Sequence, residues 1–187
     1  MSRLAIALVH HPVLDAKGEV VASTLTSIDV HDLSRSARTY GCTDFFMVHP
    51  IEAQRTLCAR IVEHWTTGAS AKRIPDRKDA LALVRIVETI EDAKRALGSP
   101  RVWVTAAREV GTSLSWRDAR ASLERDDGDG GDDRPVLVLF GTSWGLAPEV
   151  VAAADAVLAP IVGAGDWNHL SVRAACAIAL DRLRGGC

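Results

Sequence analysis

The chain has 187 residues and a net charge of −2, and its charged fraction of 25% and hydrophobic fraction of 48% suit one globular domain with a packed core. No apolar run approaches the roughly 20 residues of a membrane-spanning helix, so we expect no membrane partner. The four cysteines form no Cys-x-x-Cys pair, and no histidine lies at zinc-ligand spacing. This pattern predicts reduced thiols, no metal ion and a cytoplasmic protein.

Six short apolar runs along the chain predict buried strands. In chain order they lie at 4–10, 44–49, 81–87, 101–106, 135–140 and 155–160, and the pattern does not fix where the third begins. Helical patterns separate them. Strands that alternate with helices predict an α/β fold with a mainly parallel sheet and helices on both faces, in a single domain over residues 1–187.

Capping signals mark where several of the helices begin. Thr26 with Asp29, Thr89 with Asp92, and Ser115 with Asp118 each have the spacing of a capping box, and Pro148 suits the first turn of a short helix at 148–154. Gly41 and Gly98 are placed to end the first two of these helices. These signals predict the helix boundaries independently of the apolar pattern.

Most of the negative charge lies in "ERDDGDGGDD" at 124–133, which holds one Glu and five Asp against one Arg. The segment has no apolar side chain to bury, so we predict a solvated, disordered loop at 125–134. The remainder of the chain is therefore mildly basic, which permits an RNA partner without requiring one.

The first predicted helix, at 28–40, has two distinct faces. One is the apolar stripe Val30, Leu33, Ala37 and Tyr40. The other carries His31, Arg35 and Arg38 at i, i+4 and i+7. Such a basic face is usually just solvated. Alternatively it contacts a polyanion or directs an arginine into a site, because the guanidinium fork donates two hydrogen bonds to one phosphate.

Two glycines punctuate the segment "LFGTSWGLAPE" at 139–149, where a predicted strand ends. Gly141 and Gly145 suit a tight turn or a close approach of the backbone to a ligand. The segment is neither a P-loop nor a G-x-G-x-x-G dinucleotide motif, so an ATP or nicotinamide enzyme is not favoured. A site that binds its ligand through backbone groups remains open.

The segment "IVGAGDWNHLS" at 161–171 precedes the last helix and is unusually rich in polar side chains. Asn168 or Ser171 suffices as the helix cap, which leaves Asp166, Trp167 and His169 without that explanation. Arg173 follows in the first turn, where the helix dipole disfavours a cation. Its position indicates a partner, either an acidic residue or a phosphate.

Taken together, "DVHDLSRSARTYG" (29–41), "LVLFGTSWGL" (137–146) and "IVGAGDWNHLSVRAACAIAL" (161–180) resemble the three motifs of the SPOUT superfamily of S-adenosylmethionine-dependent RNA methyltransferases. The chain is most similar to a branch of small predicted RNA methyltransferases, which occur alone or fused behind a tRNA guanine-N1 methyltransferase. The pattern of that branch also includes the His-Pro pair that is His11-Pro12 here. The match spans essentially the whole chain.

The resemblance implies a deep C-terminal trefoil knot, a homodimer, and S-adenosylmethionine as cofactor, with S-adenosylhomocysteine as product. The cofactor would lie against loops 104–108, 139–145 and 160–171, held largely by backbone groups where glycines leave space. The implied cofactor-binding residues are Thr105, Ala106, Phe140, Gly141, Thr142, Trp144, Gly145, Pro160, Ile161, Asn168, His169, Leu170 and Ser171. Ser143 replaces a glycine of near relatives, which costs little unless that position needs a positive φ.

The resemblance also implies catalytic roles. Arg35 would lie beside the acceptor, where a permanently charged guanidinium is suited to orient a phosphate or stabilise a developing alkoxide. Asp29, where the ribose-methylating branch usually has Asn, is the conventional base if the acceptor is a ring nitrogen. His31 and His169 are further proton acceptors. Candidate RNA contacts are Arg38, Arg108 and Arg173.

The sequence therefore predicts an enzyme that methylates tRNA or rRNA. The alternative is a dimeric RNA- or nucleotide-binding protein that keeps the knotted fold without turnover. The sequence leaves open whether the acceptor is a ribose or a base. It also leaves open which of Asn168, His169 and Ser171 contacts the cofactor.

Overall fold

The computed structural model describes residues 2–67, 69–125, 132–165 and 167–186, except for the side chains of residues 69 and 70. In chain order the strands are β1 Leu4–Val9, β2 Val13–Leu14, β3 Val20–Val21, β4 Phe45–Val48, β5 Val84–Val87, β6 Arg101–Val104, β7 Val136–Gly141 and β8 Ala156–Val157. The helices are α1 Ser27–Thr39, α2 Glu52–Thr66, α3 Ala69–Arg73, α4 Pro75–Leu81, α5 Ile90–Leu97, α6 Trp116–Glu124, α7 Pro148–Ala152 and α8 Val172–Arg184.

Six of the strands form one sheet in the order β5-β4-β1-β7-β6-β8, and all of its pairings are parallel. The remaining two, β2 and β3, form a small antiparallel hairpin. The chain builds outward from β1 through β4 to β5, and then fills the other side of β1 with β7, β6 and β8. The strand order therefore reverses between β1 and β7, which is where α/β sheets of this kind bind ligands.

The sheet is buried on both faces, as its apolar strands require. Leu4, Ile6 and Leu8 of β1 face a core that is shared with α1, α2, α4, α6 and α8. Ala5 and Val9 face the opposite core, which α5, α7 and the β2–β3 hairpin cover. The prediction of a mainly parallel α/β sheet with helices on both faces is confirmed.

The predicted strands are all present, and the structure fixes the start of the third and shortens the last. Leu81 ends α4, so the third predicted strand begins at Val84 and not at residue 81. Pro75 occupies the first turn of α4, where its missing N–H costs nothing, and the helix continues through the apolar residues that resemble a strand. The last predicted strand, at 155–160, is only the two-residue β8.

The three predicted capping residues all accept a hydrogen bond from the backbone, but only one pair forms the full reciprocal box. Thr89 and Asp92 bond each other in both directions. In α1, the Asp29 carboxylate instead accepts a hydrogen bond from the Thr26 hydroxyl at 2.5 Å. One carboxylate oxygen of Asp29 therefore remains available to another partner.

Three further predictions concern the acidic loop, membrane-spanning helices and the cysteines. Most of the predicted acidic loop, residues 126–131, lies outside the described residues. None of the helices in the described ranges is long and apolar enough to cross a membrane. Cys42, Cys58 and Cys176 are free and buried, and burial raises the pKa of the Cys42 and Cys58 thiols to about 12.

Candidate functional site

Three loops gather at the carboxyl edge of the sheet, where β6, β7 and β8 end. They are loop 105–115, turn 141–147 and loop 158–171, and they include the segments predicted to hold the cofactor. The Asn168 amide donates to the Ala107 carbonyl at 2.8 Å, which ties the first loop to the third. The structure therefore brings the three predicted cofactor segments to one edge.

Turn 141–147 is held tightly against the β2–β3 hairpin. The Trp144 amide donates to the Leu14 carbonyl at 3.0 Å, and the Leu14 amide donates to the Gly145 carbonyl at 2.9 Å. Val13 and Leu146 form an antiparallel bridge, and the Ala147 amide bonds the Pro12 carbonyl at 3.2 Å. These contacts fix the turn without any ligand.

The glycines of this turn have a structural reason within the turn itself, and that they also clear space for a cofactor stays a prediction. A Cβ on Gly141 would lie 2.8 Å from the Leu146 backbone nitrogen, a distance that real Cβ atoms do not adopt. Gly145 has φ +105, with open space where its Cβ would be. Ser143 has φ 56, so this position does need a positive φ and the serine is strained there.

A buried hydrogen-bond chain lies beneath the turn. His10 is 0% exposed, and its Nδ1 lies 2.9 Å from the Ser23 hydroxyl, which lies 2.5 Å from the Thr142 hydroxyl. Thr142 gives its only hydroxyl proton to the Val9 carbonyl at 3.0 Å. Ser23 must therefore donate to Thr142 and accept from His10 Nδ1–H, which leaves His10 Nε2 as a lone-pair acceptor.

His10 Nε2 has no hydrogen-bond partner among the described residues. Burial, and next the stacked His49 ring at 5.2 Å, lower the pKa of His10 to about 4, although the charge of Asp29 opposes the shift. His10 is therefore neutral near pH 7. The sequence analysis missed this residue; the available signal was a histidine at the end of the most apolar strand, directly before the His11-Pro12 motif.

Loop 158–171 differs from the turn because little holds it. Within its described residues at 160–165 and 167–170, no backbone group bonds another backbone group. Trp167 is 82% exposed and stacks on His169 with ring centroids 5.8 Å apart. The backbone amides and carbonyls of those described residues are therefore available to a ligand.

The polar residues before α8 each make a different contact. Ser171 is the N-cap, and its hydroxyl accepts a hydrogen bond from the Ala174 amide at 3.2 Å. Asn168 bonds Ala107, and His169 stacks on Trp167. The helix therefore needs one of these side chains, and the other polar groups serve the loop. Asp166 lies outside the described residues.

An ion pair connects the first motif to the third. The Arg173 guanidinium lies 2.7 Å from the carboxylate of Asp29 and 3.6 Å from that of Asp32. The Asp29 side chain is only 8% exposed, and its second oxygen accepts from Thr26. Arg173 thus has the acidic partner that its position indicated, and both oxygens of Asp29 are engaged.

The predicted basic residues of α1 lie away from this ion pair. Arg35 is six residues after Asp29, or about 9 Å farther along the helix axis and on a different face. It is exposed, with no carboxylate within ion-pair distance among the described residues. His31 packs edge-on against Trp65 at 5.5 Å, and Arg38 is exposed in the last turn. The structure therefore does not bring Arg35 or His31 together with Asp29.

The other predicted site residues vary in accessibility. Phe140 is buried in the core, so only its backbone can face a ligand, and Thr105 Oγ1 donates to the Leu139 carbonyl at 3.0 Å. Trp144 is 64% exposed, and Arg108 lies exposed in loop 105–115. Four further predicted residues lie in the loops. Leu170 is exposed, and Ala106, Pro160 and Ile161 are half-buried.

The carboxyl edge fits the cofactor that the sequence motifs imply. Loop 158–171 offers unpaired backbone donors and acceptors for a purine edge, and Trp144 and Trp167 offer exposed aromatic surface. Among the described residues, no group of three His, Cys, Asp or Glu is placed to hold a metal ion. The groups present suit hydrogen bonding and stacking with the adenosine part of the cofactor.

Comparison with known proteins identifies the family. The chain matches a family of SAM-dependent RNA methyltransferases over residues 3–185. It is 42% identical to a tRNA (guanine-N(1)-)-methyltransferase of Nitratidesulfovibrio vulgaris over 98% of this chain and 42% of the relative, so it spans less than half of that protein. An uncharacterized protein of Aquifex aeolicus is 38% identical over 95% of this chain and 86% of its own length.

Solved structures show the same fold at low sequence identity. A probable methyltransferase from Bordetella pertussis superposes with a TM-score of 0.66 at 17% identity, covering 98% of this chain and 95% of that one. A TrmH/SpoU tRNA-modifying enzyme of A. aeolicus superposes with a TM-score of 0.58 at 12% identity, covering 98% of this chain and 75% of that one. The resemblance drawn from the three motifs is confirmed: the chain belongs to the family of S-adenosylmethionine-dependent RNA methyltransferases.

Proposed function

We propose that the protein transfers a methyl group from S-adenosylmethionine to a nucleotide of tRNA or rRNA. The observation that carries this proposal is the junction at the carboxyl edge. There the Arg173–Asp29 ion pair, at 2.7 Å, joins the first motif to the third beside the rigid turn 141–147. Family membership supports the chemistry, and the mildly basic body supports RNA as the substrate.

The cofactor supplies an electrophilic methyl group on a sulfonium. The residues of this chain have to hold it in line with the acceptor, and a preorganised backbone is well suited to that task. Turn 141–147 provides a fixed wall, and loop 158–171 provides free backbone groups on the other side. The remaining predicted contacts, outside these two segments, are those of Thr105, Ala106 and Phe140.

Arg35 is proposed to orient the RNA and not to remove a proton. Its guanidinium is always charged, so it cannot act as a base, and it lies on a different face of α1 from Asp29. An exposed arginine without an acidic partner is suited to hold a phosphate next to the acceptor. Arg38 and Arg108, both exposed, are proposed as further RNA contacts.

The base for the reaction has two structural candidates. Asp29 remains a proposal, but its oxygens are bonded to Arg173 and Thr26, which weakens it as a proton acceptor. His10 has a neutral Nε2 lone pair, but the residue is 0% exposed, so it would reach an acceptor only if the residues that cover it moved. His31, which packs against Trp65, and His169, which stacks on Trp167, are candidates from the sequence motifs alone.

We also propose a homodimer with a C-terminal trefoil knot, acting in the cytoplasm. These features follow from the sequence motifs. Several large apolar side chains near the carboxyl edge are exposed, and a second subunit seated there would remove them from water. They are Ile28, Trp144, Val162, Trp167 and Leu170. Light scattering of the purified protein measures the dimer directly.

Transfer of labelled methyl from S-adenosylmethionine to total RNA tests the function, with RNA from cells that lack the protein as acceptor. Arg35→Ala should lower transfer by about 100-fold, the scale of a lost positioning contact, while cofactor affinity stays unchanged. Arg95→Ala is the matched control, because Arg95 is exposed on α5 and pairs only with Asp92 among the described residues. Nucleoside mass spectrometry of the product distinguishes ribose from base methylation.

Strong cofactor binding without transfer to any RNA would instead favour a binding protein that keeps the fold without turnover. Equal loss in Arg35→Ala and Arg95→Ala would contradict the role of Arg35.

A further inference from the structure

We propose that His31, Arg35, Trp65 and Arg77 form a docking surface, the flank patch, for a single-stranded RNA segment adjacent to the modified nucleotide. This inference rests on the proposed RNA methyltransferase function and adds the surface that binds the substrate. It concerns α1, α2 and α4, which pack together on one face of the sheet.

The patch is centred on Trp65 of α2, which packs partly against the core. The His31 ring of α1 meets it edge-on with centroids 5.5 Å apart. The Arg77 guanidinium carbon of α4 lies 4.5 Å from the centre of the same ring. Arg77 is thereby held over an aromatic face, so its donors are fixed in direction before any ligand binds.

Both arginines of the patch disfavour a proton on His31. After burial, Arg77 is the largest cause that lowers the pKa of His31, and Arg35 lowers it further, with Asp32 as the opposing charge. Asp32 itself lies 3.6 Å from Arg173. No carboxylate of the described residues forms an ion pair with Arg35 or Arg77. Unneutralised cations this close together indicate an anionic partner.

The chemistry of the patch favours nucleic acid over other anions. Two guanidinium groups suit successive phosphates, and a guanidinium stacked on an indole presents a flat surface to an unpaired base. The patch also continues along α1 through Arg38, which follows Arg35 by one turn. A strand that crosses these residues leads from the cofactor loops along the first helix.

His31 gives the patch a pH dependence. Its Nδ1 is buried and has no hydrogen-bond partner among the described residues, and its pKa is lowered, so it is neutral near pH 7. A bound phosphate raises the pKa of His31, so the complex takes up a proton that the free protein does not hold. RNA affinity should therefore increase as the pH falls below about 7, toward the ordinary histidine range.

Fluorescence anisotropy tests the patch with two probes, unfractionated tRNA and a labelled single-stranded oligouridine, on the full-length protein without cofactor. Arg77→Ala should weaken binding about tenfold and reduce the slope of log affinity against log salt by about 0.7 for the single strand. Arg95→Ala removes the same charge from α5, on the opposite face of the sheet, and should leave both unchanged. His31→Asn should flatten the pH dependence, because it removes the imidazole that takes up the proton.

Equal affinity and salt slope for Arg77→Ala and the wild type would overturn the flank patch. A change in dimer mass in Arg77→Ala, without a change in RNA binding, would also overturn it, by assigning the surface to a second copy. The outcome is independent of catalysis, because binding is measured without methyl transfer. A protein that binds RNA through Arg77 but transfers no methyl group would refute the proposed function alone.

Discussion

The two walls of the cofactor region are built in opposite ways. Turn 141–147 is fixed by backbone bonds to the β2–β3 hairpin and by the His10–Ser23–Thr142 chain beneath it. Loop 158–171 is held at Asn168, at the Ser171 cap and by its junction with β8. The first wall is preorganised, and the second has free backbone groups and exposed Trp167 to be ordered by a ligand.

This difference suggests separate roles in binding. A fixed wall needs no ordering when the ligand binds, so no binding free energy is lost there, and it can set the position of the reactive centre. An adaptable wall can open for entry and close over the bound molecule. Changes in the fixed wall should therefore reduce stability and binding together, whereas changes in loop 158–171 should affect binding more than stability.

The largest effect is expected on acidification, through His10 beneath the fixed wall. Its pKa is lowered from 6.5 to about 4, so the unfolded chain binds a proton at a pH where the folded protein does not. Stability is therefore fully present above pH 6.5 and is lost as the pH falls toward 4, by about 3 kcal/mol from this group. Urea unfolding at pH 7 and pH 4.5 should show this loss in wild type and a shallower one in His10→Asn. The same pH slope in both proteins would contradict the assignment.

A matched glycine pair compares the two walls directly. Gly141→Ala places a Cβ 2.8 Å from a backbone nitrogen in the fixed wall, whereas a Cβ on Gly165 of the open wall meets nothing within 4 Å. We expect Gly141→Ala to lower the free energy of unfolding by about 2 kcal/mol and to abolish cofactor binding. Gly165→Ala should change stability by less than about 0.5 kcal/mol. Calorimetry of unfolding and of cofactor binding measures both, and similar losses in the two variants would remove the distinction.

Arg173→Ala tests the ion pair at the junction of the walls. It leaves the buried Asp29 carboxylate without its cation, and we expect a loss of about 1.5 kcal/mol, less than for a fully buried pair because Arg173 is a third exposed. Asp29→Asn in the same background should recover part of the loss, because the orphaned charge is then gone. Urea denaturation of the single and double variants gives the coupling energy. Strictly additive losses would show that the pair is not coupled.

The smallest effect is expected at Ser143, which has φ 56 in the fixed wall. Ser143→Gly relieves the left-handed strain but makes the unfolded chain more flexible, so we expect a gain of about 0.5 kcal/mol. Ser99→Gly is the control, because Ser99 has φ 58 in a turn remote from the site. Thermal unfolding should shift upward in both, and cofactor affinity should change only in Ser143→Gly. Destabilisation by both substitutions would contradict the strain.

The fold followed from the sequence where the signal was local. Apolar runs placed the strands, and Thr26, Thr89 and Ser115 each cap the predicted helix. The apolar run that begins at Leu81 left the start of the third strand open, because a short apolar run does not distinguish a strand from a buried helix end. Only the packing of α4 against α1 settles that boundary.

The candidate site followed from the sequence only in part. The motifs picked out three segments that the structure brings to one edge, and the position of Arg173 indicated a partner, either an acidic residue or a phosphate, because those signals lie within short stretches. The His10–Ser23–Thr142 chain joins residues 13 and 119 positions apart, so no local pattern encodes it. The sequence also carried no signal that Leu146 occupies the space where a Cβ of residue 141 would lie.

Hydrogen exchange with and without S-adenosylhomocysteine tests the two-wall account most directly. Amides of turn 141–147 should be protected already in the free protein, because the Trp144, Gly145 and Ala147 amides are hydrogen-bonded to backbone carbonyls of the protein itself. Amides of loop 158–171, and of the Ala107 loop tied to it, should exchange quickly in the free protein and become protected when the ligand binds. Unchanged exchange of loop 158–171 at saturating ligand, or protection gained mainly in the turn, would contradict the account.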